Sequence, residues 1–189
     1  MAENYKRREE GKDFVKRFEE QLKNKAHYFF ELDAYEYIIQ HYIEKGKFQK
    51  ALKACNIAIE QYPFSIELML DKAQVYSNLN QHHEALEILE KAGNLQPNDP
   101  EILILKGSIF SLMGNFKEAI QEFENALPFA EEKDEVYYNI GLAFQSAADY
   151  TEAILNYKKA IEENNQHENA LYELAYCLDL IGELEKSIS

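Results

Sequence analysis

The sequence predicts an all-α fold: a solenoid of antiparallel helix pairs, with an extra helix at the N-terminus. Three observations predict it. Ala51, Ala85, Ala119 and Ala153 each lie 34 residues after the last, and a fixed period of this length marks stacked repeats. Apolar residues between these alanines recur at the three- and four-residue spacing of a helix face. Midway through the units stand Gly46, Asn80, Gly114, Ala148 and Gly182. Glycine and asparagine suit the left-handed turn that ends a helix.

Counting residue 32 as position one, the rest of the phase repeats too. Position four is Tyr35, Met69, Leu103, Tyr137 and Leu171. Position eight is Ile39, Ala73, Gly107, Gly141 and Ala175, and position eleven is Tyr42, Tyr76, Phe110, Phe144 and Leu178. Position twenty-four is Cys55, Leu89, Phe123 and Tyr157, and position twenty-seven is alanine four times. The units are 32–65, 66–99, 100–133, 134–167 and a partial 168–189, together one repeat domain over 32–189.

At the N-terminus, residues 1–12 are polar and read as a frayed tail. Asp13 is expected to cap a helix from Phe14 to Lys25, with Phe14, Phe18 and Leu22 on one face. This stretch is out of phase, with Arg17 and Asn24 where alanines would fall. It reads as a tail plus capping helix over 1–31; a basic exposed arm is the alternative. In the first unit, two apolar runs flank Lys45-Gly46-Lys47. In the third, Pro100 opens one helix, because its fixed φ and missing donor suit a first turn. Gly114-Asn115 closes that helix, and Lys117 to Leu127 form the next. The fourth unit repeats the plan. The fifth reaches Gly182 and ends at Ser189 with its second helix barely begun. The chain therefore reads as a fragment of a longer protein, with an end face open to self-association.

The pattern of Ala51, Ala85, Ala119 and Ala153, with aromatics between, resembles the tetratricopeptide repeat family. The resemblance runs from Leu32 to Ser189. It implies a right-handed superhelix and a protein-binding scaffold or adaptor. Two departures stand out. Ile39 is large where the family has a small residue, and Glu131 and Asn165 replace the closing proline seen as Pro63 and Pro97.

Composition narrows the function. The formal net charge is −14. Residues 1–31 hold eight Lys and Arg against seven Asp and Glu, and the remainder holds 12 against 27. An acidic repeat domain repels a phosphate backbone, which excludes nucleic acid as a direct partner. No apolar run is long enough to span a membrane, and no secretory signal opens the chain. Two cysteines make no disulfide framework, so a reducing, cytoplasmic setting is expected. Cys55 sits at a packing position and reads as a small buried hydrophobe.

No catalytic chemistry is legible. His27, His41, His82, His83 and His167 are scattered, with His82-His83 expected in a turn. No HExxH or C-x-x-C spacing offers a metal site, and no Gly-rich phosphate loop appears. Ser108 and Ser111 have no histidine in register as a base. No enzyme activity, cofactor or metal is expected.

Function is expected on the first-helix face formed by positions two, five, six, nine, twelve and thirteen. By resemblance, that face lines a concave groove. It would contain Glu36, Tyr37 and Gln40; then Glu67, Asp71, Gln74 and Asn78; then Glu101, Leu105 and Ser108. Glu135, Tyr138, Asn139 and Leu142 follow, and then Tyr172 and Tyr176. None is Lys or Arg, so the carboxylate clamp of chaperone-binding relatives is not expected. Carboxylates beside tyrosines suit a protein or peptide segment carrying basic side chains next to apolar anchors. The alternatives are a solvated acidic surface, a recruiting fragment of a larger enzyme, or a self-assembling structural module.

Overall fold

The computed structural model describes residues 2–24 and 28–188, with side chains described for 11–23 and 28–182. Ten α-helices are found among the described residues, and no strand. They are α1 Ala2–Asn24, α2 Leu32–Glu44, α3 Phe48–Gln61, α4 Ile66–Asn78 and α5 His82–Leu95. Then come α6 Pro100–Leu112, α7 Phe116–Ala126, α8 Lys133–Ser146, α9 Tyr150–Glu163 and α10 Glu168–Ile188. The chain divides into two compact units, Met1–Leu95 and Gln96–Ser189. In each, helices pack mainly as sequential pairs.

The turns follow the repeat. Gly46, Asn80, Gly114 and Ala148 all have left-handed φ, from 58° to 77°. The residue after each donates its N–H to the carbonyl four before the turn residue: Lys47 to Tyr42, Gln81 to Tyr76, Asn115 to Phe110 and Asp149 to Phe144. These bonds satisfy carbonyls that a helix end leaves free. Several helix starts carry side-chain caps, although Asn115 at the start of α7 makes none. Ser65 Oγ accepts from Leu68 N–H, and Asp99 Oδ1 accepts from Glu101 and Ile102 N–H ahead of Pro100. Asp149 Oδ1 accepts from Glu152 N–H.

The first unit has its core where α1, α2 and α3 meet. Phe18, Phe30, Tyr35, Ile38, Ile39, Tyr42 and Cys55 are buried there together. Phe18 meets Phe30 and Tyr42 at ring distances of 6.3 and 6.2 Å. Glu19 accepts from Lys50 at 2.7 Å and from the Tyr42 hydroxyl at 3.3 Å. The α1 helix thus covers apolar surface that a solenoid end must hide. In the second unit, Phe123 closes over Gly107, and Tyr157 closes over Gly141. A methyl group on either glycine would lie 2.6 or 2.5 Å from the ring.

Four expectations need correction. The first helix begins at Ala2 rather than near Asp13, because the polar stretch before Asp13 is rich in Glu, Lys and Arg, which favour helix. Asp13 therefore lies inside a helix and caps nothing. Its expected last residue, Lys25, lies outside the described residues, as does His27. His82 and His83 open α5 rather than sitting in a turn. Finally, α10 runs through Gly182 without a break. The turn expected at Gly182 is not formed, and helical hydrogen bonding propagates cooperatively through it.

Candidate functional site: the expected face of the first helices

In the first unit, α2 and α4 bring the expected residues together. Glu36 and Asp71 are partly buried, while Gln40, Glu67, Gln74 and Asn78 are exposed. The Gln40 amide donates to Asp71 Oδ1 at 2.8 Å and ties the two helices across this face. Burial pushes the Asp71 carboxyl up to about 6, and Glu36 adds to the rise against the Gln40 hydrogen bond. Burial, with Asp33 and Glu67 nearby, also raises Glu36. Low-dielectric surroundings and like charges both disfavour an ionised carboxyl. Asn78 turns its amide to its own helix, donating to Gln74 O.

Tyr37 is only partly free. The α1 helix passes over it at Gly11, where an added methyl would strike the ring. Phe14 meets the same ring edge-on at 6.5 Å, and His41 stacks on it at 6.4 Å. Sequence reasoning gave α1 a covering role without showing which residue it covers.

In the second unit, Glu101 is exposed on α6, with Leu105 and Ser108 partly buried. The Ser108 hydroxyl donates to Ile104 O in its own helix, so it is spent on backbone. On α8, Tyr138, Asn139 and Leu142 are partly buried and Glu135 is exposed. Tyr138 packs on Tyr157 at 5.9 Å and on His167 at 4.9 Å. Tyr172 and Tyr176 on α10 are exposed. A polar network links α8, α9 and α10. Gln145 donates to Glu173 at 2.9 Å, accepts from the Tyr157 hydroxyl, and accepts from Cys177 Sγ at 3.3 Å.

One cluster escaped the sequence. Asp134, Glu135 and His167 bring ligand-type atoms within 4.8 Å of one another. His167 is more than thirty positions from the two carboxylates, so no short motif marks the group; only the repeat phase places them side by side. His167 is 5% exposed. Its Nδ1 accepts the Ala170 N–H at 3.2 Å and caps α10. In a neutral ring the proton is then on Nε2, which faces Glu135 Oε1 at 3.5 Å. A metal-bound histidine normally donates its other ring N–H. The Ala170 amide takes that place, so the arrangement suits capping and orientation rather than ligation.

Models of the tetratricopeptide repeat match residues 42–109, 100–130 and 134–167. The chain belongs to the tetratricopeptide repeat family. Repeats of this family are protein-binding scaffolds. No curated protein matches the sequence significantly. Solved structures are similar in fold. A thermophilic repeat protein of Thermus thermophilus is 19% identical, with 87% of this chain and 88% of that chain covered and a TM-score of 0.72. PilF of Pseudomonas aeruginosa is 22% identical over 80% of this chain and 69% of its own, also at 0.72. YrrB, described as having an unusual peptide-binding site, is 24% identical over 74% and 72%, at 0.63. No helix among the described residues is long and apolar enough to cross a membrane.

Proposed function

We propose that this repeat protein binds a partner segment whose Lys or Arg side chains flank apolar anchors, using the face that α2 and α4 share. The observation that carries the reading is Asp71. It is held in place by Gln40, half-removed from water, and acted on by another carboxylate rather than a cation. A guest ammonium or guanidinium would lower the cost of ionising it, and the coupling is reciprocal.

Calorimetric titration with a basic-aromatic peptide tests this. Affinity is expected to rise between pH 5 and 7, as Asp71 ionises, and to fall with added salt. Asp71→Asn should weaken binding and flatten the pH dependence. Preference for acidic peptides with free C-termini, or a pH profile unchanged in Asp71→Asn, overturns the reading.

A further inference from the structure

The face shared by α2 and α4 carries carboxylates for a basic partner, and an apolar anchor needs a seat beside them. Of the candidate residues on these two helices, Tyr37 alone is aromatic. It stands three residues before Gln40 and so neighbours it on the helix surface. Gln40 in turn holds Asp71 at 2.8 Å. The Tyr37 side chain is 36% exposed. Part of its cover is this chain's own α1. Phe14 meets the ring edge-on at 6.5 Å. Gly11 lies so close that a methyl group there would strike the ring. A glycine inside a helix weakens it, so helix stability is given up here for the close approach.

The segment seated on Tyr37 has the chemistry assigned to the partner. Phe14 stands between Lys12 and Lys16, both exposed, and Arg17 follows. It is an aromatic anchor flanked by cations. The α1 helix is also held unevenly. Phe18 is fully buried and packs on Phe30 and Tyr42. Glu19 accepts from Lys50 at 2.7 Å, and the buried Gln21 accepts the Tyr28 N–H at 3.2 Å. Phe14 and Val15, by contrast, are only partly buried. The core grips α1 from Phe18 onward, while Tyr37 meets the turn formed by residues 11–14.

We propose that Phe14 occupies the seat of the partner's aromatic anchor on Tyr37, so that a partner segment binds by displacing residues 11–14 while Phe18 stays in the core. The inference rests on the α2–α4 face being the binding face. The contact then works as a built-in competitor. It raises the apparent Kd by the inverse of the fraction of open molecules.

The probe is a blocked synthetic peptide with a phenylalanine between lysines, titrated into the isotope-labelled full chain. Amide shifts are expected at residues 11–14 and 36–40, with residues 18–21 unmoved. Phe14→Ala removes the competitor and should tighten binding about three- to tenfold. Gly11→Leu, whose side chain cannot share space with the ring, should tighten it too. Tyr37→Ala removes the seat and should cancel the gain from Phe14→Ala. In the free chain, hydrogen exchange at residues 11–14 should be faster than at residues 18–21. Binding that depends on Asp71 but is unchanged or weaker in either α1 variant overturns the inference and leaves the acidic face standing. Exchange at one common rate along α1 also overturns it, because the helix would then be a single rigid cap. Absence of binding to the wild type and to both variants overturns the reading of the face itself, and this inference with it.

Discussion

The pair α2–α3 and the pair α6–α7 fill the same helix crossing in opposite ways. In α6–α7 the first helix gives up its side chain at Gly107, and the second sends in Phe123. In α2–α3 the first helix brings Ile39, and the second retreats to Cys55, with both fully buried in one core. Ala73 and Leu89 of α4 and α5 stand between these extremes. The repeat therefore conserves space at the crossing rather than residue type. A large residue on one side is offset by a small one on the other, as close packing requires.

The largest effect should come from breaking this exchange. Gly107→Ile drives a branched side chain into the Phe123 ring. It is expected to destabilise by about 3 kcal/mol. Gly107→Ile with Phe123→Cys, which copies the first unit, should recover more than half of that in a denaturant double-mutant cycle. Ile39→Ala opens the reverse defect, a cavity costing about 2–4 kcal/mol. Adding Cys55→Leu should return part of it, and a purely additive result would sink the exchange model.

The polar faces of the two units sharpen the contrast further. Asp71 has a folded pKa of about 6 against an ordinary 3.8. Its ionisation is thus harder in the folded chain. Below pH 4 it contributes no penalty; as pH rises from about 4 to 6, stability is lost, and the loss is complete above that. Asp71→Asn should stabilise by about 1–2 kcal/mol at pH 8 and do nothing at pH 3.5. The smallest effect belongs to the turns. Ala148 holds a φ of 62°, where Gly46 and Gly114 sit without strain. Ala148→Gly should raise stability by about 0.5–1 kcal/mol, and Gly114→Ala should lower it by a similar amount. Thermal melts of the two variants give the sign.

Much of the fold was legible because the period repeats every local signal. Ala51, Ala85, Ala119 and Ala153 fixed the second helices, and position fifteen fixed the turns, even where it was Ala148. What the period missed lies at the ends, where neighbours change. Gly182 has the turn residue, yet α10 runs on through it. The α1 helix lies outside the phase, and its Gly11 contact with Tyr37 needs coordinates. Exposure along the candidate faces was less legible. Ser108 was a candidate contact until its hydroxyl was seen bonded to Ile104 O. Asp71 gains its character from Gln40, 31 residues away, which no linear motif reports.

The sequential pairing of helices also governs how the chain reaches its fold. Within each unit the densest packing joins elements separated only by a short turn. Little loop entropy is spent before a hairpin gains contact, and such topologies fold quickly. Nucleation in either unit can start at any of its hairpins and spread to the neighbour, as in other one-dimensional arrays. A misplaced strand register, the usual trap of long-range topologies, has no counterpart here; the risk shifts to a hairpin that seats the right helix on the wrong copy of the same face.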